Sequence, residues 1–522
     1  MNSSFSPSSE EAVPPSSPPK RWFYNFSLWA VLAIILAILI PLGVRSGPES
    51  LVFSVITFLE VVLLFNILII VHELGHFLAA KWCGLKIDKF AIWFGQSLWT
   101  KKIDGVEYIL GSIPAGGYVA LPQMAPMEAI EGKTETPREE LPPASPWQKI
   151  IVAFAGPLFS FGLAVVFACV VWVVGKPVTD TEATTVIGHV LPDSPADHAH
   201  LQAGDKILYI DNHPIKSFGG IGDTVMWRII TSTAETIPVV VQRGDQTLTV
   251  EVQPKQEEHS FWQRSSPRRI GIAPAMDKLI VKKVLPFSPA AMAGIGPKDQ
   301  ILALNGQHLY DDQPIFEQMK EHPNDPFQLT VIHQGVTREV TLTPEKPISP
   351  QELPKDEPQT DIGIDEWEPG VSIVYQNPVA QVRESVEDIV GTLQALFTPH
   401  STVSASQLSG PVGIMNIFFA VLSSENGWRL ALWLAVVINV NLALINLFPF
   451  PILDGGHILL SVIEWIRRRP LSMAILEPLQ TFCALVLISY MLYITFFDVQ
   501  DSGHMVMGAG EEIKFAPKPS SP

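Results

Sequence analysis

The chain has 522 residues, 47% of them hydrophobic and 17% charged, with a formal net charge of -17 and a mean hydropathy of +0.25. That length permits several domains, and the balance suits a membrane protein with soluble parts better than one soluble enzyme. The acidic excess argues against nucleic-acid binding, and three scattered cysteines (Cys83, Cys169 and Cys483) argue against a disulfide framework or a cysteine-based zinc site.

Residues 1–25 open with a Ser/Pro-rich stretch and are predicted to be a disordered cytoplasmic tail. "FSLWAVLAIILAILIPLGV" (26–44) follows Lys20 and Arg21 and is long enough to span a bilayer. No convincing small-residue cleavage site comes after it, so an uncleaved helix is expected rather than a signal peptide. A second apolar run, 51–80, ends in "VHELGHFLAA". Residues 81–149 open with five lysines and contain the turn-rich "IPAGGYVALP". A third span is expected at 150–175. The polar stretch that follows has strand-like alternation and many turns. Two further spans are expected at 430–454 and 475–497, separated by a cytoplasmic helix at 455–474 and followed by a tail at 498–522.

Lys and Arg near span ends set orientation. Lys20 and Arg21, the lysines after the second span, and Arg467, Arg468 and Arg469 all fall on the cytoplasmic side if five spans start from an inner N-terminus. The polar middle of the chain is then outside.

That middle region repeats itself. "VLPDSPADHAHLQAGDKILYIDN" from Val190 aligns without a gap on "VLPFSPAAMAGIGPKDQILALNG" from Val284. Ser194 matches Ser288, Pro195 matches Pro289, Asp205 matches Asp299 and Ile207 matches Ile301. The pattern resembles PDZ domains of the bacterial protease type, which implies a β-rich tandem at 178–256 and 268–346. Such domains can bind an extended peptide at a sheet edge; packing modules or a steric filter are the alternatives. In 376–428, Val382, Val386, Ile389, Leu393 and Leu396 recur at helical spacing between charged residues. This predicts an amphipathic helix, either on the outer membrane surface or packed on the outer domains.

"HELGH" fits H-E-x-x-H. On a helix, His72 and His76 lie one turn apart on one face, and two imidazoles so placed suit Zn²⁺. Glu73 beside them can take a proton from a water activated there. Ionisable groups at membrane depth are costly and usually mark function, although interfacial histidines at a helix end are the plainer reading. A catalytic zinc needs a third protein ligand and an open position. Asp454 is the only acidic residue between Glu425 and Glu464, and Gly455 and Gly456 follow it directly. The topology brings it to the same cytoplasmic depth as the histidines. An N-cap on "HILLSVIEWIRR" is its other reading, and His457 is a second possible ligand.

With "HELGH", "GLKIDKFAIWFGQSLW", "IPAGGYV", "AGPLFSF", the repeat pair, "LSGPVGI" and "NLFPFPILDGG" in order from about 55 to 497, the sequence resembles a site-2 protease of the regulator-of-sigma-E protease type. The hydrophobic span at 26–44 is extra to that family's pattern. The resemblance implies a polytopic α-helical membrane protein with about five spans, four of them the protease core, and two PDZ domains inserted in the outer loop. It implies that His72, His76 and Asp454 ligate zinc and that Glu73 is the general base. It implies substrate contacts at Asn446 and at Gly116, Gly117 and Tyr118, the last three in a membrane-dipping β-loop whose "YVAL" could be an edge strand. It places Pro449 and Pro451 of "NLFPFP" with Asn446 among the substrate-binding residues; the two prolines bar a regular helix in that segment, which a wet cavity at membrane depth tolerates.

The implied activity is zinc-dependent cleavage of transmembrane segments in the bacterial inner membrane. Implied partners are the bilayer, single-pass substrates such as anti-sigma factors or signal-peptide remnants, and a possible peptide at the PDZ grooves. A catalytically inactive PDZ-containing membrane scaffold is the alternative, but it should lack a ligand or the base. A transporter is a third reading, and the spans show no inverted repeat in its favour.

Overall fold

The computed structural model describes residues 48–124, 141–256, 263–349, 358–368, 370–399, 401–469, 471, 473–507 and 513–516. The expected tail and span within 1–44 lie outside them. Among the described residues four helices are long and apolar enough to cross a membrane: Val52–Trp82, Pro146–Val174, Gly427–Asn446 and Leu476–Asp501. The chain divides into two compact units, Met1–Gly156 with Ser461–Arg468, and Pro157–Leu460 with Arg469–Pro522.

The first unit contains helix α1 (Pro48–Trp82) and a four-stranded sheet. Val52, Leu59 and Leu63 on α1 are well exposed, as lipid-facing side chains should be. The sheet comprises β1 (Lys89–Phe94), β2 (Trp99–Ile103), β3 (Val106–Leu110) and β4 (Ile113–Ala120), in the order β2-β3-β1-β4. Thus "IPAGGYVA" is a strand, and it lies at an edge. A register shift between Ile92 and Phe94 leaves Trp93 with φ of 71°, outside the usual range for a bulky residue. The bulge turns the Trp93 indole N–H onto the Asn66 carboxamide oxygen of α1, tying sheet to span.

Helix α2 (Pro146–Val174) starts on a reciprocal cap. The Ser145 amide donates to Gln148 Oε1 (2.8 Å) and the Gln148 amide donates to Ser145 Oγ (3.3 Å), with Pro146 at the first helical position. Its first turns bury Val152 and Ala155 with Phe77, Ala80, Phe90 and Val119. Lys149 Nζ meets Glu464 Oε2 at 2.6 Å, and both side chains are largely buried.

The second unit holds two β-rich modules formed by the sequence repeat. The first has β5 (Ile187–Val190), β6 (Lys206–Ile210), β7 (Ile237–Arg243), β8 (Gln246–Val252) and β9 (Ile272–Pro274). The second has β10 (Leu279–Val284), β11 (Gln300–Leu304), β12 (Phe327–His333), β13 (Val336–Leu342) and β14 (Ile364–Glu368). Each module is closed by a late strand: β9 pairs with β5, and β14 pairs with β10. The closing strand of the second module lies past residue 346, and that of the first lies past residue 256.

The matched residues do matched work. Ser194 and Ser288 each cap a one-turn helix, accepting from Asp197 N and Ala291 N at 3.2 Å. Asp205 Oδ2 and Asp299 Oδ2 accept from Gln202 N and Gly296 N at 3.0 Å, which closes the Ala/Gly-rich turn. Their partners differ: Asp205 pairs with Arg243 at 2.7 Å and Asp299 with His333 at 2.8 Å. Ile207 and Ile301 are both 1% exposed, and each contributes roughly 1.5–3 kcal/mol of burial to its core.

Helix α3 (Pro378–Phe397) is the amphipathic helix, capped by Asn377 Oδ1 on Ala380 N (2.9 Å). Part of its apolar stripe is taken up by neighbouring helices. Val382, Val386 and Ile389 pack with Ala164, Ala168 and Val171 of α2 and with Val436 and Val440 of α5 (Gly427–Asn446). Gln381 Nε2 donates to the Ala168 carbonyl at 3.0 Å, beside that apolar contact. Between α3 and α5 lies a shorter apolar helix, α4 (Pro411–Ser423), built from the "GPVGI" stretch. Helices α6 (Asp454–Arg467) and α7 (Met473–Met507) follow.

Candidate metal centre

α1 carries His72, Glu73 and His76 on its last turns, where the run of apolar residues ends. His72 is 8% exposed and His76 is half-buried. The two Nε2 atoms lie 3.2 Å apart, with the rings edge to face. His76 Nδ1 is 2.8 Å from the Val152 carbonyl of α2. A carbonyl only accepts, so Nδ1 carries the proton and Nε2 presents its lone pair. Bonds of about 2.0–2.1 Å at a tetrahedral angle would hold two ligand nitrogens roughly 3.3 Å apart. The spacing and the tautomer therefore both fit a zinc ion.

Gly156 stands directly against this pair. A Cβ there would lie 2.2 Å from His76 Nε2 and 2.9 Å from His72 Nε2. Because the Val152 carbonyl holds the His76 ring, that ring cannot swing aside cheaply. Only glycine at position 156 leaves both nitrogens open. It lies in "AGPLFSF", quoted above for its resemblance, but nothing in the local pattern marked it as a site residue.

Glu73 faces β4. A Cβ on Gly117 would meet Glu73 Cγ at 3.2 Å, the Ala91 carbonyl at 3.0 Å and Ile69 Cγ2 at 3.4 Å. Gly117 thus lets the edge strand lie close along the helix beside Glu73. Gly116 has φ of 78°, and a Cβ there would lie inside the Phe94 ring, 2.0 Å from Cε2. The Phe94 ring stacks on Tyr118, with centroids 6.0 Å apart. Small residues at 116 and 117 and an anchoring aromatic at 118 are what place this strand.

Asn446 is the last residue of α5, and Asp454 opens α6. Between them "LFPFPIL" has no regular helix, as two prolines dictate. This loop folds back on the two glycines: a Cβ on Gly455 would lie 2.1 Å from the Leu447 carbonyl, and one on Gly456 would lie 1.9 Å from that of Phe450. Gln480 Nε2 of α7 donates to the Pro451 carbonyl at 3.3 Å. Pro449 is exposed and Pro451 half-buried.

Among the described residues, His72, His76 and Asp454 are the one set of at least three His, Cys, Asp or Glu side chains that could hold a metal ion. His457 is not in it. Two imidazole nitrogens and one carboxylate oxygen are a hydrolytic zinc donor set that leaves room for a fourth position.

Membrane-length helices with a paired-imidazole motif and an adjacent carboxylate define a membrane metallopeptidase. The chain belongs to peptidase family M50, whose model matches residues 60–490. Protease RseP of Yersinia pestis is 30% identical over 437 residues, covering 78% of this chain and 90% of that protein. Regulator of sigma-E protease RseP of Escherichia coli K12 is 29% identical over 436 residues, covering 80% and 92%. A Vibrio cholerae protein provisionally named a zinc metalloprotease is 29% identical over 449 residues, covering 80% and 93%. The protein is an intramembrane metalloprotease.

Proposed function

We propose that His72, His76 and Asp454 hold one zinc ion and that Glu73 is the proton-carrying base of peptide hydrolysis within transmembrane segments. The observation that carries this reading is the 3.2 Å Nε2 pair, with the His76 tautomer fixed by the Val152 carbonyl. When bound, zinc supplies the Lewis acidity that polarises a scissile carbonyl and acidifies a water. Glu73 accepts the proton that water loses as its oxygen adds to the carbonyl carbon, and delivers it to the amide nitrogen as the C–N bond breaks.

A transmembrane helix has its amides already hydrogen-bonded, so a substrate must unwind first. The open edge of β4 beside Glu73 offers main-chain partners for the unwound segment, which supports substrate roles for Gly116, Gly117 and Tyr118. Asn446 steadies the bound backbone, and Pro449 and Pro451 keep the adjoining segment irregular. The positive-inside distribution supports a cytoplasmic site and outer β-rich modules in a bacterial inner membrane. These modules act as PDZ domains that screen bulky substrates. Two relatives are named as regulators of sigma-E protease, and the family resemblance supports single-pass proteins of the anti-sigma type as the substrate class, with signal-peptide remnants a second source.

Purified protein should hold about one zinc per chain and cut a single-span substrate. Asp454→Ala should lose the zinc; unchanged metal content would exclude Asp454 as a ligand. A reporter fused to each β-rich module should read outside, and a cytoplasmic readout contradicts the screening role.

A further inference from the structure

The end of the chain looks unstructured by composition, yet residues 513–516, "IKFA", are docked on the second β-rich module. Lys514 N donates to the Ser349 carbonyl at 2.8 Å, and Ile348 N donates to the Lys514 carbonyl at 2.8 Å. These bonds make an antiparallel bridge between Ser349 and Lys514. Side chains alternate as in a strand: Lys514 and Ala516 are exposed, while Phe515 is 6% exposed.

The Phe515 ring sits where the two ends of the module meet. A Cβ on Gly363 would lie 3.2 Å from Phe515 Cε2 and 2.1 Å from Ser288 Cβ. Gly363 has φ of 82° and directly precedes β14, the last strand of the sheet. Ser288 caps the one-turn helix of the repeat. The first module builds the same junction: Gly271 has φ of 83°, and a Cβ there would lie 2.3 Å from Ser194 Cβ. The three nearest atoms to that Cβ all belong to Ser194. The glycine–serine junction therefore belongs to the repeat, whereas the inserted aromatic ring is a feature of the second module.

We propose that the second module carries a binding site for an extended peptide with one buried aromatic residue, and that the chain's own Ile513–Ala516 segment fills it as an intramolecular ligand. Main-chain pairing along Ile348 and Ser349 supplies strand-like affinity, and the Phe515 pocket supplies selectivity. Five residues separate the end of α7 at Met507 from Ile513. So short a tether gives the segment an effective concentration on the order of millimolar. A free peptide must overcome that advantage, so the intact chain is self-blocked at this site. The inference concerns peptide binding and stands or falls apart from the zinc reading.

The test uses the full chain in detergent and a fluorescein-labelled peptide of residues 511–519, "EEIKFAPKP". Three proteins are compared: the intact chain, a chain ending at Met507, and full-length Phe515→Ala, which keeps the test open if the shortened chain misfolds. The shortened chain and Phe515→Ala should each bind the peptide at least about 10-fold more tightly than the intact chain. The same peptide with Phe replaced by Ala should bind none of them. Amides of residues 345–349 should exchange at least about 10-fold faster in Phe515→Ala than in the intact chain. Equal peptide affinity of all three proteins, no binding to either variant, or unchanged exchange would each overturn the proposal.

Discussion

At the scale of single residues, the candidate site turns as much on a missing side chain as on the proposed ligands. Gly156 lies on a helix, where Gly→Ala ordinarily helps by about 0.5–1 kcal/mol. Here the added methyl would fall 2.2 Å from His76 Nε2. Gly156→Ala is therefore expected to retain helix content by circular dichroism and yet drop from about one zinc per chain to near none by elemental analysis. Zinc content equal to wild type would show that the ring yields. His72, Glu73 and His76 can be nominated from the sequence because one helical turn fixes their spacing. Asp454 can be nominated as a ligand only through topology, since it lies far along the chain and an N-cap explains it locally. Gly156 was not readable: a glycine in an apolar helix has no period and no chemistry of its own, and its meaning comes from a neighbouring helix.

Secondary-structure elements show a buried charge used as a staple. Asp498 of α7 is 3% exposed and accepts from Gly410 N (3.0 Å) and Gly413 N (2.8 Å), capping α4 from outside its own sequence. Arg264 Nη2 meets the same carboxylate at 2.5 Å, and Arg264 Nε lies 2.9 Å from Asp501. Arg264 precedes the second module, so this pair ties the strand-to-strand linker to the end of a membrane-length helix. Removing one partner strands the other, at about 3–5 kcal/mol. Asp498→Ala should accordingly cost several kcal/mol in denaturant unfolding, while the Arg264→Ala, Asp498→Ala double variant costs clearly less than the sum of the single variants. Strict additivity would mean the two residues act independently. The period of α3 was legible in its valines and isoleucine, but its partner was not, because an apolar stripe does not distinguish lipid from the faces of α2 and α5. The closing strands β9 and β14 are likewise not legible in the sequence. Their pairings span some 80 residues, and strands this short carry little pattern.

For the molecule as a whole, the repeated modules respond to pH differently from what their shared sequence suggests. In the second module burial, reinforced by the neighbouring charge of Asp312, pushes the Asp311 carboxyl up to about 7. Burial also raises Asp312 and Asp361. An acid whose folded value lies above its unfolded one contributes fully below about pH 4, and that contribution is lost as the pH rises through about 7. Pulse proteolysis in urea should thus show the second module losing stability between pH 5 and 8, by at most about 1.4 kcal/mol per pH unit for this one proton. Asp311→Asn should flatten that slope and be the more stable form at pH 8; an unchanged slope would assign the effect elsewhere.

Family, membrane character and catalytic motif together make proteolysis the central claim, and Glu73 is its narrowest point. Glu73→Gln keeps the size and the hydrogen-bonding edge of the side chain while removing the base. The direct measurement pairs zinc content with cleavage of a single-span substrate by wild type and Glu73→Gln in the same detergent. Zinc should stay near one per chain in both proteins, while the rate falls by at least about 100-fold, the scale of general-base catalysis. A Glu73→Gln protein that binds zinc and cuts at the wild-type rate would contradict the account.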